Sequence, residues 1–250
     1  MDLLEPNILC FLLVLTRVGA FFFAAPIFSW QSIPATIKLT LTVFVSVFLA
    51  SILANPGIER PYSAAEAGLM LSGEVIYGLA LGMVASYLFA AVKIGAQLCE
   101  REMGLSMANI LDPMTEESGE PLSILMEMVF ILLFLAADGH HVLLIALARS
   151  YETFPIGSLP AIDKLTASIT EAGSTMLILG LRMSAPILAA FLLMMVVLAF
   201  LARVAPETNI LFLSLPLKVG MGLLMVGIFL PFIGNFVSEF VHWLNKLIPL

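Results

Sequence analysis

The chain has 250 residues, of which 61% are hydrophobic and 12% charged, and a formal net charge of −7. Soluble domains carry roughly 25% charged residues, so this composition excludes an ordinary soluble domain and points to a membrane protein or a subunit buried in a larger assembly. The 11 basic residues are spread thinly, without the cluster that would hold nucleic acid or anionic lipid.

Six apolar segments follow one another: residues 8–28, 37–54, 67–92, 122–137 (continuing weakly to 148), 175–202 and 217–240. Most reach the roughly 20 residues that a helical span needs. In hydrocarbon the backbone must bond to itself, so helix is the expected conformation, and the alternation of barrel strands is absent. The first run lacks a basic n-region followed by a small-residue cleavage site and reads as a retained helix, not a signal peptide. Turn chemistry at 31–34 and 55–61 separates the first three runs, Asn55-Pro56-Gly57 being the clearest break. Residues 95–121 form the longest polar stretch, and 155–163 another loop with Pro155, Gly157 and Pro160. Ser214 ahead of Leu215-Pro216 signals a helix start, since serine caps and proline suits a first turn. Cys10 and Cys99 are the only cysteines and read as unpaired thiols. No polar linker or low-complexity tract divides the chain, which reads as one unit over 1–250.

Arg17, Glu74, Glu127 and Arg182 lie inside apolar runs. Each would cost about 2.5–3.5 kcal/mol at the centre of a lipid-facing helix, and the loops show no asymmetry of Lys and Arg that would orient a simple bundle. These charges should therefore face protein or water. One explanation is a secondary transporter with a polar pathway, in which Pro186 and Pro206 break helices and Arg182 binds an anion. The other is a subunit whose hydrophobic helices pack against other subunits, with several segments outside the bilayer core. Glu127 with Arg149 or Arg182 is a candidate buried ion pair, badly disrupted by losing one member. In the third segment Gly78, Gly82, Ser86 and Ala90 recur every four residues, a strip of small side chains that lets backbones approach, within the chain or between subunits.

Three stretches carry a resemblance. Residues 203–218 read Arg-Val-Ala-Pro-Glu-Thr-Asn-Ile-Leu-Phe-Leu-Ser-Leu-Pro-Leu-Lys, a polar, proline-interrupted reversal carrying Arg203, Pro206, Glu207, Asn209, Pro216 and Lys218. Residues 103–113 read Met-Gly-Leu-Ser-Met-Ala-Asn-Ile-Leu-Asp-Pro, after an amphipathic 95–101. Residues 132–157 contain Gly139-His140-His141, Ser150 and Phe154-Pro155-Ile156-Gly157. On these residues, and over essentially its whole length, the chain resembles the R components of type III protein export gates, the FliR/SctT family; the injectisome counterparts share the plan of the flagellar ones.

The resemblance implies an all-α subunit of about six to eight long hydrophobic helices with broken hairpins, long enough to be membrane-associated. It implies one copy in a closed helical hetero-oligomer with the P and Q components, FliP and FliQ, and with FlhB as a further partner. Residues 1–174 would be P-like and 175–250 a Q-like helical hairpin, with the helices largely above the plane of the bacterial inner membrane and lipid around the assembly. Such a gate, in the flagellar basal body, passes unfolded flagellar proteins outward, driven by a separate ATPase and the proton motive force.

The same resemblance gives residues 103–121 the role of a channel plug. Glycine and proline let a chain enter a confined space without regular helix, and methionine packs adaptably. Met103, Gly104, Leu105, Met107, Ile110, Leu111, Met114 and Gly119 are the expected plug residues; read without the resemblance, the stretch is better taken as an acidic, solvent-exposed connector. His140-His141 lacks a Cys/His/acid spacing and reads as a structural helix start. No P-loop, dinucleotide fingerprint, zincin motif or nucleophile elbow is present, so the expectation is no enzyme, no metal, no cofactor and no nucleic-acid partner.

Overall fold

The computed structural model describes residues 6–29, 33–53, 63–105, 120–205, 207, 210–229 and 234. Among these the fold is all-α: α1 (Pro6–Ala24), α2 (Pro26–Ser29), α3 (Ala35–Ile52), α4 (Ala64–Met103), α5 (Pro121–Ala136), α6 (Gly139–Thr153), α7 (Ile162–Val204) and α8 (Ile210–Phe229).

Local chemistry sets several of these boundaries. The α4 helix opens with a reciprocal cap: the Ser63 N–H and hydroxyl both donate to Glu66 Oε2 at 2.9 Å, and the Glu66 N–H faces Ser63 Oγ at 3.4 Å, satisfying donors that a first turn leaves free. Pro121 stands at the first turn of α5, where its missing N–H costs nothing. Ahead of α6, Asp138 lies in the left-handed region, φ 57°.

Three boundaries differ from the sequence reading. The α4 helix does not end near residue 92 but continues to Met103, where its polar residues Gln97 and Glu100 find partners in Glu120, just ahead of α5, and Ser123 within it. The α7 helix starts at Ile162, ahead of the apolar run, and passes through Pro186 unbroken. The Ser214 signal is overruled: α8 begins at Ile210 and holds Pro216 inside it. Proline is tolerated within apolar helices where neighbouring groups re-satisfy the freed carbonyl.

Among the described residues three helices are long and apolar enough to cross a membrane, Ala35–Ile52, Ala64–Met103 and Ile162–Val204, and α5 with α6 would make a fourth if the pair is one broken span. The α3 and α7 helices expose large apolar side chains, among them Phe44 and Phe48 in α3 and Leu192, Leu193 and Phe200 in α7, as surfaces bathed in lipid or covered by other subunits do.

The chain divides into two compact units. The first takes the described residues up to Leu88 together with Asp138–Gly173. Its cores gather Leu9, Leu13 and Ala67 in one cluster, and Tyr77, Ala80, Phe154 and Leu165 in another. The second takes Phe89–Ala137 and the described part of Ser174–Glu239. There Phe89 meets Phe130 and Phe134 edge-on, with ring centroids 5.3 and 5.4 Å apart, and α4 crosses α7 so closely that a Cβ added to Gly95 would lie 3.0 Å from the Gly180 carbonyl oxygen.

Candidate functional site

The buried charges of the first unit form one network. Arg17 of α1 and Glu74 of α4 are both fully buried, and the Arg17 Nε donates to Glu74 Oε2 at 2.5 Å. Arg17 Nη1 donates to Ser150 Oγ at 3.3 Å, and Nη1 and Nη2 each donate to the Phe154 carbonyl at 3.1 Å. The other carboxylate oxygen, Glu74 Oε1, accepts the Gly157 N–H at 2.8 Å. The guanidinium carbon lies 4.1 Å from the Tyr151 ring centroid and 4.9 Å from that of Tyr77, near enough for cation–π attraction. The pair thus grips the loop after α6 by the carbonyl before Pro155 and the amide of Gly157, whose φ of +76° suits glycine. Tyr77 adds a second clasp, its hydroxyl donating to the Leu159 carbonyl at 2.8 Å and accepting from the Ala161 N–H at 3.2 Å.

The small-residue strip explains how Arg17 reaches Glu74. A Cβ on Gly78 would collide with the Arg17 carbonyl oxygen and sit 2.7 Å from Ala20 Cβ; one on Gly82 would collide with Ala24 Cβ and lie 3.1 Å from the Phe21 carbonyl oxygen. Glu74, Gly78 and Gly82 share a helix face at intervals of four, so the backbone approach and the ion pair belong to one α1–α4 contact within the chain. Ser86 and Ala90, further along the strip, are half-buried.

In the second unit the expected plug stretch is described only at its ends. Met103 closes α4 as helix and is wholly buried; its side chain fills the space beside Gly222 of α8. Gly104 turns the chain with φ +78°, and Leu105 is half-buried. Met107, Ile110, Leu111, Met114 and Gly119 lie outside the described residues. Where the chain returns, Gln97 Nε2 donates to Glu120 Oε2 at 2.5 Å. Glu100 Oε2 accepts from the Ser123 hydroxyl at 2.9 Å and from its N–H at 3.3 Å. The last turns of α4 are therefore clasped to the start of α5 on either side of positions 106–119 in the sequence.

The other expected residues are dispersed. Arg203, Glu207 and Pro216 are exposed and Lys218 half-buried, while Pro206 and Asn209 lie outside the described residues. Glu127 is half-buried, and Arg149 and Arg182 are exposed within the chain, so a pair of Glu127 with either is not a buried one; the buried pair is Arg17 with Glu74. His140 and His141 stand in the first turn of α6, the expected helix start. The sequence reading missed Ser150, Tyr77 and Tyr151 as partners of Arg17. Its available signal was the interval Glu74–Gly78–Gly82, which puts the acid and the small strip on one face.

A family model of bacterial export proteins, family 1, matches residues 8–243. The chain belongs to the FliR/SctT family. The flagellar biosynthetic protein FliR of Escherichia coli (strain K12) is 31% identical over 90% of this chain and 85% of its own length. That of Bacillus subtilis (strain 168) is 29% identical over 86% and 84%. Yop proteins translocation protein T of Yersinia pestis is 27% identical over 91% and 88%. As a member of the FliR/SctT family with apolar helices long enough to span, the chain is an inner-membrane component of an export gate and not an enzyme.

Proposed function

We propose that this chain is the R component of a flagellar type III export gate, assembling with FliP, FliQ and FlhB into a closed helical channel for unfolded flagellar proteins, and that residues 106–119 plug that channel. The observation that carries the plug is the clasped base: Gln97–Glu120 and Glu100–Ser123 fix both ends of a stretch whose sequence between them supplies Met107, Ile110, Leu111 and Met114. Fixed ends and an apolar, glycine- and proline-bearing middle suit a seal that must yield and return. Residues 1–174 are read as P-like and 175–250 as Q-like. One of the boundaries between the two compact units falls between Gly173 and Ser174, near the proposed division, while residues 89–137 group with the later part.

The flagellar reading rests on the names of the relatives in Escherichia coli and Bacillus subtilis, at 31% and 29% identity. The injectisome reading keeps the support of the Yersinia pestis relative. Expression in a non-motile strain lacking its own FliR separates them: restored swimming supports the flagellar gate, and failure to swim with restored effector secretion in an injectisome mutant favours the other. Deleting residues 106–115 tests the plug. Recovery of the complex should persist, while leakage of ions and small solutes across the inner membrane rises; an assembled deletion gate as tight as the wild type would leave the stretch as an exposed connector.

A further inference from the structure

Three potential metal ligands meet at the start of α6. Asp138, His140 and His141 each offer one ligand atom, and these atoms lie within 4.8 Å of one another. Successive helical residues project roughly 100° apart, which ordinarily separates neighbouring histidines; here the two ring centroids are 4.2 Å apart. Asp138 Oδ1 stands 3.3 Å from His141 Nδ1. Ligands about 2.0–2.2 Å from a tetrahedral zinc ion are separated by about 3.3–3.6 Å, so that edge is already formed.

Two features go beyond helix capping. An aspartate at this position ordinarily accepts a hydrogen bond from a first-turn N–H, yet the Asp138 side chain makes no cap bond and presents an exposed carboxylate to the imidazole. His140 Nδ1 is buried and has no hydrogen-bond partner among the described residues, a costly state for a polar atom. We propose that Asp138, His140 and His141 bind a divalent transition metal, zinc fitting best. Two imidazoles and one carboxylate suit zinc and its neighbours, not magnesium or calcium, which take oxygen sets. Three protein ligands leave the fourth position to water or to a ligand from a partner. The bound ion neutralises Asp138 and pins the first turn of α6 to the residue that precedes it. The same atoms without metal are an Asp–His pair three residues apart with an idle neighbour, and the two arrangements differ in what they ask of His140.

The full-length chain, purified in detergent without a polyhistidine tag and stripped with chelator, is titrated with Zn²⁺ and separately with Co²⁺, whose visible spectrum reports coordination geometry. The expected result is stoichiometric zinc binding, weakened at least about 10-fold in each of Asp138→Asn, His140→Ala and His141→Ala, and unchanged in His242→Ala, which removes the only other histidine. Asparagine also tolerates left-handed backbone, so Asp138→Asn keeps the turn, and circular dichroism checks the helices of every variant. Zinc binding no stronger in the wild type than in the His140→Ala/His141→Ala double variant overturns the site. Full binding by His140→Ala with loss in the other two variants overturns the three-ligand assignment.

Discussion

Arg17 and Glu74 in the first unit and Glu100 in the second are all almost wholly buried, but their surroundings differ. The first two answer each other, and both oxygens of Glu74 are bonded, one to Arg17 and one to the Gly157 amide. Glu100 bonds Ser123 through Oε2, while Oε1 has no partner among the described residues. The apolar surfaces differ in parallel: α1 is largely enclosed, with Leu13, Val14 and Val18 at 0% exposure, whereas α7 exposes Leu192, Leu193, Val197 and Phe200. The Arg17–Glu74 network around α1 is answered within the chain, whereas the exposed faces of α7, and of α3 in the first unit, are left for lipid or other chains. In a gate subunit, that contrast separates the helices that hold the shape from the helices that meet their surroundings.

The largest test of this contrast is one substitution made in both units. Glu74→Gln breaks a buried pair and leaves Arg17 uncompensated, at a cost of about 3–5 kcal/mol, read as a lowered unfolding temperature of the purified chain. Replacing both partners, as Arg17→Met with Glu74→Leu, should recover most of that loss; a double variant as weak as Glu74→Gln would mean that the loop contacts, not the pair, dominate. Next in size is Gly82→Leu, where backbone and Ala24 crowd the missing Cβ. It should cost about 1–3 kcal/mol and reduce both complex recovery and swimming. Glu100→Gln, by contrast, keeps an acceptor for Ser123 and removes a charge with one unanswered oxygen, so its effect should stay below about 1 kcal/mol. A loss as large as that of Glu74→Gln would show that Glu100 is as firmly answered within the chain as Glu74 and would erase the contrast. Smallest, and opposite in sign, is Gly68→Ala. A Cβ there meets nothing within 4 Å, and the exposed helix should gain about 0.5–1 kcal/mol, visible as a small rise in unfolding temperature.

The sequence carried the all-α class, because long apolar runs leave few alternatives in hydrocarbon. It also carried the need to shelter Arg17 and Glu74, since their cost depends only on their being charged within such runs. It did not carry their pairing, which joins residues 57 apart and depends on the register of α1 against α4. The end of α4 was misread because Gln97 and Glu100 look like solvent-facing residues until Glu120 and Ser123 are brought beside them. Ser214 and Pro216 give a proper local start signal, but the helical run from Ile210 overrides it. Likewise Asp138-Gly139-His140-His141 looks like punctuation in one dimension; only the left-handed turn and the ring approach make it a cluster.

The loop contact of Arg17 also sets a timetable for biogenesis. Its carbonyl partner, Phe154, is made 137 residues later, and at about 5–20 residues per second the ribosome takes roughly 7–27 seconds to deliver it. Throughout that interval the first helix carries an arginine without its final coordination, so its early placement by the insertion machinery stays provisional. Only when the sixth helix and the turn beyond it have been made can that contact form, so a chain truncated before Phe154 leaves Arg17 without it.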